Sequence, residues 1–166
     1  IARVGEGDIG VYLQLENGQF NETAETISIN ALISSLEWWS KRDESGEQLD
    51  QTKLESRMLD ALRDLNGDGI ADMVVKYSKA LGVLDRANDY EIYLGKKVLG
   101  KLVFGEQPSS VIRADGVLTG LEFSDIDNDD ILEVLLVGFD IGLTQIIGAL
   151  VSGSIDQDVY VFKMNG

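Results

Sequence analysis

Short apolar runs, each bounded by polar or glycine-rich turns, set the pattern of this chain. Met58 to Arg63 and Val117 to Ser124 alternate or are apolar, and each ends at an acidic stretch. Beyond those stretches, Met73 to Lys76 and Val134 to Val137 are β-branched or apolar runs that read as buried strands. Glu91-Ile92-Tyr93-Leu94 and Asp158-Val159-Tyr160-Val161 alternate around a tyrosine, as third strands would, and Lys101 to Phe104 reads as a fourth strand in the middle unit. Two regions break the pattern. Leu143, Ile146, Ile147, Leu150 and Val151 follow the i, i+3, i+4, i+7, i+8 spacing of a short amphipathic helix, predicted over Gly142 to Ser152. Ile29 to Gln51 holds Trp38-Trp39 and a charged run; the tryptophans read as one core ring and one edge ring rather than a ligand platform.

The strands belong to an internal repeat. Leu62 to Val75 matches Phe123 to Leu136 at an offset of 61 residues, and the tyrosine element recurs downstream of each copy. Gly10-Val11-Tyr12-Leu13 is a third copy of that element with no acidic stretch before it. The chain therefore holds the tail of one unit and two further units. Loop-bounded short strands repeating at about 60 residues predict blades of four antiparallel strands.

With 44% hydrophobic residues among 166, the composition is that of a folded domain. The net charge is −15, from 29 acidic against 14 basic residues, which repels phosphates and anionic head groups and argues against nucleic acid as a partner. Eight of the acidic side chains crowd into the two repeated stretches, where solvation alone would not cluster them. The chain has no cysteine and no histidine, so disulfides, thiolate zinc sites and histidine-based triads are absent. Val134 to Ile155 carries Asp140 as its one charge, but its four glycines, Thr144 and Gln145 read as two buried segments joined by a turn, not a membrane insertion.

Calcium takes six to eight oxygens at about 2.3–2.6 Å, so a calcium loop must aim alternate side chains at one centre. Asp64, Asn66 and Asp68 stand at positions 1, 3 and 5, the Ile70 carbonyl is available at position 7, and Asp72 closes at position 9. The second loop offers Asp125, Asp127, Asp129, the Ile131 carbonyl and Glu133 in the same order. An EF-hand begins alike but needs a bidentate Glu at position 12 between two helices. Position 12 is Val75 in one loop and Leu136 in the other, both inside strand-type runs, so that reading is rejected. Two calcium ions are expected, one per loop.

Asp-Leu-Asn-Gly-Asp-Gly-Ile-Ala-Asp-Met-Val-Val at 64–75 resembles the FG-GAP repeat, also described as the VCBS repeat, found in the integrin α-subunit propeller and in secreted bacterial proteins. The segment 125–136 departs from that pattern twice, with Asp130 for a glycine and Glu133 for the closing Asp. The resemblance implies a mainly β fold: four-stranded antiparallel blades of a partial β-propeller with short inserted helices. In that frame 1–28 is the tail of one blade, 29–57 an insertion, 58–116 a second blade and 117–166 a third. The whole 1–166 is one repeat domain, a fragment of a longer propeller. It further implies a secreted, cell-surface or periplasmic binding and adhesion scaffold for a protein or glycan ligand, with self-association through open blade edges. The alternative the family permits is part of a propeller-type polysaccharide lyase or hydrolase, for which no acid/base pair stands apart from the loops.

Overall fold

A computed structural model describes residues 1–5, 7–29, 42, 44–47, 55–80, 86–113, 117–129, 131–139, 150, 152, 154 and 157–163. Its strands are β1 (Ala2–Val4), β2 (Asp8–Val11), β3 (Glu25–Ser28), β4 (Glu55–Arg63), β5 (Asp72–Ala80), β6 (Arg86–Tyr93), β7 (Lys96–Val98), β8 (Lys101–Val103), β9 (Ser110–Ile112), β10 (Val117–Ser124), β11 (Glu133–Phe139) and β12 (Asp158–Phe162). They form three larger antiparallel sheets, ordered β1-β2-β3, β4-β5-β6-β9 and β10-β11-β12, with β7 and β8 as a separate hairpin. The protein is thus mainly β, but the described sheets do not close into a propeller.

The middle sheet is buried on both faces, as its near-continuous apolar run on β5 requires. Met73, Val75 and Tyr93 pack against Ile9 and Ile29 on the side of the N-terminal sheet. Val74, Tyr90 and Ile92 pack against Leu118, Val134 and Leu136 of the C-terminal sheet. Removing each such aliphatic side chain from water is worth about 1.5–3 kcal/mol, so the three consecutive residues 73–75 tie the three sheets together.

The repeat is visible in the ladders. Arg63 pairs with Asp72 and Leu62 with Met73, while Ser124 pairs with Glu133 and Phe123 with Val134. Both first strands also carry a bulge shortly before the acidic loop, between Leu59 and Ala61 and between Thr119 and Glu122. An extra residue flips the facing of every later side chain in its strand. That is why Leu59 and Leu62 both reach the N-terminal core.

Three expectations are corrected. The fourth strand of the middle sheet is β9, not Lys101 to Phe104. Leu99 and Gly100 both take positive φ, 51° and 79°, which turns Lys96 to Val103 back on itself as a hairpin and leaves the β6 edge to β9. The second correction concerns the tyrosines. Met73 pairs with Tyr93, whereas Val134 pairs with Phe162, so Phe162 and not Tyr160 takes the place of Tyr93. A slip of two residues preserves the facing of every side chain, and alternation alone could not reveal it. Third, the described elements are all strands, so the short inserted helices are not borne out as elements, although Leu150 and Ser152 are themselves helical. Gly142 to Ser152 lies outside the described residues except for Leu150 and Ser152, and Trp38-Trp39 lies outside them entirely. Among the described residues no helix is long and apolar enough to cross a membrane.

Candidate metal centre

Both acidic loops connect the first two strands of their sheets, and they abut: Leu132 N–H donates to the Leu65 carbonyl at 3.3 Å. Each is wound by its own carboxylates. Asp64 accepts from Gly67 N–H at 2.9 Å and from Gly69 N–H at 2.8 Å, and Asp68 accepts from Ile70 N–H at 2.8 Å. In the second loop Asp125 accepts from Asp129 N–H at 3.1 Å and Asp129 from Ile131 N–H at 3.0 Å. The fourth loop position needs a left-handed backbone in both, supplied by Gly67 at φ 76° and by Asn128 at φ 60°. Asn tolerates that region better than most residues do.

The loops differ at the ninth position. Asp72 is fully buried, and both its oxygens are used: Leu65 N–H donates to one at 2.9 Å and Gly95 N–H to the other at 2.8 Å. Burial, reinforced by the charges of Asp68 and Asp64, raises its pKa against the pull of those two amides. Glu133, 4% exposed, accepts from Ile126 N–H at 2.8 Å through Oε2, the equivalent of the Leu65 contact. Its Oε1 is buried without a hydrogen-bond partner. An orphaned carboxylate oxygen is costly in a protein interior unless a cation or donor meets it.

The Glu133 carboxylate lies close to the other acids of its loop. Asp125, Asp127 and Glu133 each bring one oxygen to within 4.8 Å of the others. Three ligands of one ion at about 2.4 Å lie within about 4.8 Å of one another, so this triad could hold a metal ion. The donor set is all oxygen, which suits a hard cation such as calcium. Among the described residues the first loop forms no corresponding triad of Asp64, Asp68 and Asp72. The loop nearer the repeat pattern in sequence is therefore the less converged one. Asn66 lies within it, its amide donating to Asp68 at 3.3 Å, and Ile70 and Ile131 occupy matching places after the Asx turns. Asp130 lies outside the described residues.

One participant was missed by reading the sequence. Lys163, the residue after β12, donates through Nζ to Asp127 and to Asp129, the latter at 2.6 Å, and lies 4.0 Å from Glu133 Oε1. These contacts raise the Lys163 pKa, and the hydrogen bond from Lys163 is the main cause that lowers that of Asp129. The pairing of Val134 with Phe162 is the signal that finds it, because the next step of that ladder sets Lys163 beside Glu133.

A second polar group lies inside the protein, between β4, β5 and β6. Arg57 Nε contacts both oxygens of Glu91 at 3.1 Å, Tyr93 donates to Glu91 at 2.9 Å, and the guanidinium stacks over Tyr77 at 4.1 Å. Burial first, then Glu91, pushes the Tyr93 hydroxyl well above its ordinary pKa, which keeps it protonated rather than poised as a base. No family model, curated protein or solved structure matches the chain.

Proposed function

We propose that this protein is a calcium-binding repeat module of the FG-GAP or VCBS kind, serving as an extracellular or periplasmic scaffold for a protein or glycan ligand. The observation that carries the calcium reading is the buried Glu133 carboxylate, which lies with Asp125 and Asp127 in one acidic cluster and whose Oε1 has no hydrogen-bond partner. The matching bulges and loop registers of two successive sheets support the repeat. The exposure of Asp127 and Asp129 fits a weak site of the extracellular sort, with dissociation constants of about 10⁻⁴–10⁻³ M. An ion here would brace the turn between β10 and β11 and add nothing to chemistry.

Thermal unfolding in chelator and in millimolar calcium tests this. A ligand that binds only the folded state stabilises it by about 2.7 kcal/mol at one hundred times its dissociation constant. Calcium should raise the melting temperature, magnesium should do so poorly, and Glu133→Gln should remove most of the second loop's share. Identical melting curves with and without calcium would overturn the calcium reading.

A further inference from the structure

Lys163 stands where a cation bound to the second loop would stand. Its ammonium reaches the carboxylates at the third and fifth positions, Asp127 and Asp129, but stops 4.0 Å short of the ninth, Glu133 Oε1. One ammonium can therefore hold the two exposed acids together but cannot satisfy the buried one. A divalent ion at about 2.3–2.6 Å from each oxygen can reach Asp125, Asp127 and Glu133 at once. The two positive charges cannot share that space, since both need the Asp127 carboxylate and would repel at contact distance.

We propose that Lys163 is a built-in competitor for the second loop, occupying it when calcium is absent and swinging out when calcium binds. This rests on the calcium reading of that loop and adds its regulation. The side chain has somewhere to go: it is 44% exposed, so it can turn from the loop into solvent. Binding here is an exchange of one cation for another. The acids do not repel unrelieved in the empty state, and the ion must displace a tethered rival. Lys163 comes directly after β12, an edge strand of its sheet, so the exchange also changes how the end of that strand is held. The first loop is built otherwise. Among the described residues no basic side chain pairs with Asp64, Asp68 or Asp72. The two loops should consequently respond differently to the same ion.

The test is calcium titration calorimetry on the full chain carrying Asp68→Ala, which weakens the first loop, with Lys163 intact or changed to Met, Gln or Arg. Met and Gln should bind calcium about tenfold more tightly, and Arg should stay near the parent. Without calcium, the Met and Gln variants should melt below the parent. In the wild-type protein, acetylation of the Lys163 amine, monitored by mass spectrometry, should speed up on adding calcium. Equal calcium affinity in the Met, Gln and parent proteins, or unchanged Lys163 labelling, overturns the competition while leaving the calcium reading intact. No calcium heat in any of them overturns both.

Discussion

The side chain of Asn88 forms two hydrogen bonds with the backbone of Leu118, donating to its carbonyl at 2.9 Å and accepting from its N–H at 3.0 Å. The residues are 4% and 0% exposed, and the pair joins β6 of the middle sheet to β10 of the next. An asparagine amide presents one donor and one acceptor on one edge, which matches a peptide group as another strand would. Among the described residues no ladder joins these two sheets. Asn88→Ala would strand two buried backbone groups, each worth about 1–3 kcal/mol when unsatisfied. The expected loss is about 2–5 kcal/mol, measured by urea unfolding, and Asn88→Asp should be no milder because it replaces the donor. A loss below about 1 kcal/mol would show that the sheets are held by apolar packing alone.

Much of this arrangement was legible in the chain. The apolar runs around Asp64 and Asp125 mark the central hairpins because the strands after the loops, β5 and β11, are largely buried and the loops before them must curl. The places where reading failed share a cause, for they depend on which residue faces which across a ladder. Tyr93 and Tyr160 look equivalent by composition, yet the registers differ by two residues, and only the register brings Lys163 to Glu133. Asn88 looks like an ordinary polar residue of a strand until Leu118 is set against it. Lys101 to Phe104 has strand-like residues, but the turn at Leu99-Gly100 decides its partner.

Alkaline pH should unfold the protein through its buried tyrosines. Burial, with a smaller part from Asp60, pushes the Tyr90 hydroxyl up to about 12, and Tyr93 is raised further by burial and Glu91. For an acid whose folded pKa is raised, the unfolded chain releases its proton first. Stability is therefore full below the unfolded value near 10 and falls as pH climbs from there toward each folded value. Tyr90 alone should cost about 2 kcal/mol by pH 12, at about 1.4 kcal/mol per pH unit between the two values. Tyr93→Phe should flatten the fall while losing the bond to Glu91. A stability curve level from pH 9 to 12 would contradict the burial of these hydroxyls.

Leu99 should be replaceable with profit. It is fully exposed and held at φ 51° in the tip of the β7–β8 hairpin, with Gly100 next at φ 79°. Two consecutive left-handed residues make the turn type that prefers Asn-Gly. A leucine there carries a left-handed penalty of about 1–2 kcal/mol and buries nothing in return. Leu99→Asn should stabilise the protein by about 0.5–1 kcal/mol in denaturant titration. A destabilising outcome would mean that the leucine tip packs on something in solution.

Gly95 is the tightest point behind the first acidic loop, and its substitution separates the loop's frame from its ion. A Cβ placed there would come within 2.2 Å of the Ala71 carbonyl and 3.0 Å of the side chains of Ile70 and Leu102. The first of these is backbone, so it cannot simply rotate away. The same residue donates its N–H to Asp72, which also receives Leu65 N–H, so this carboxylate ties the start of the loop to the end of β6. Gly95→Ala must move the Gly95 segment or the Ala71 backbone, and either movement breaks the bond to a fully buried carboxylate. Losing that bond and straining the contact should cost about 2–4 kcal/mol. Asp72→Asn probes the frame differently. The side-chain shape is kept, but one of the two amides now faces an NH₂ group instead of an acceptor, costing about 1–3 kcal/mol. Because these losses arise in the backbone frame, both should appear in urea unfolding with chelator present. A Gly95→Ala protein as stable as the parent in chelator would show that the loop tolerates displacement of its anchor, and Asp72 would then be free to serve an ion instead of the fold.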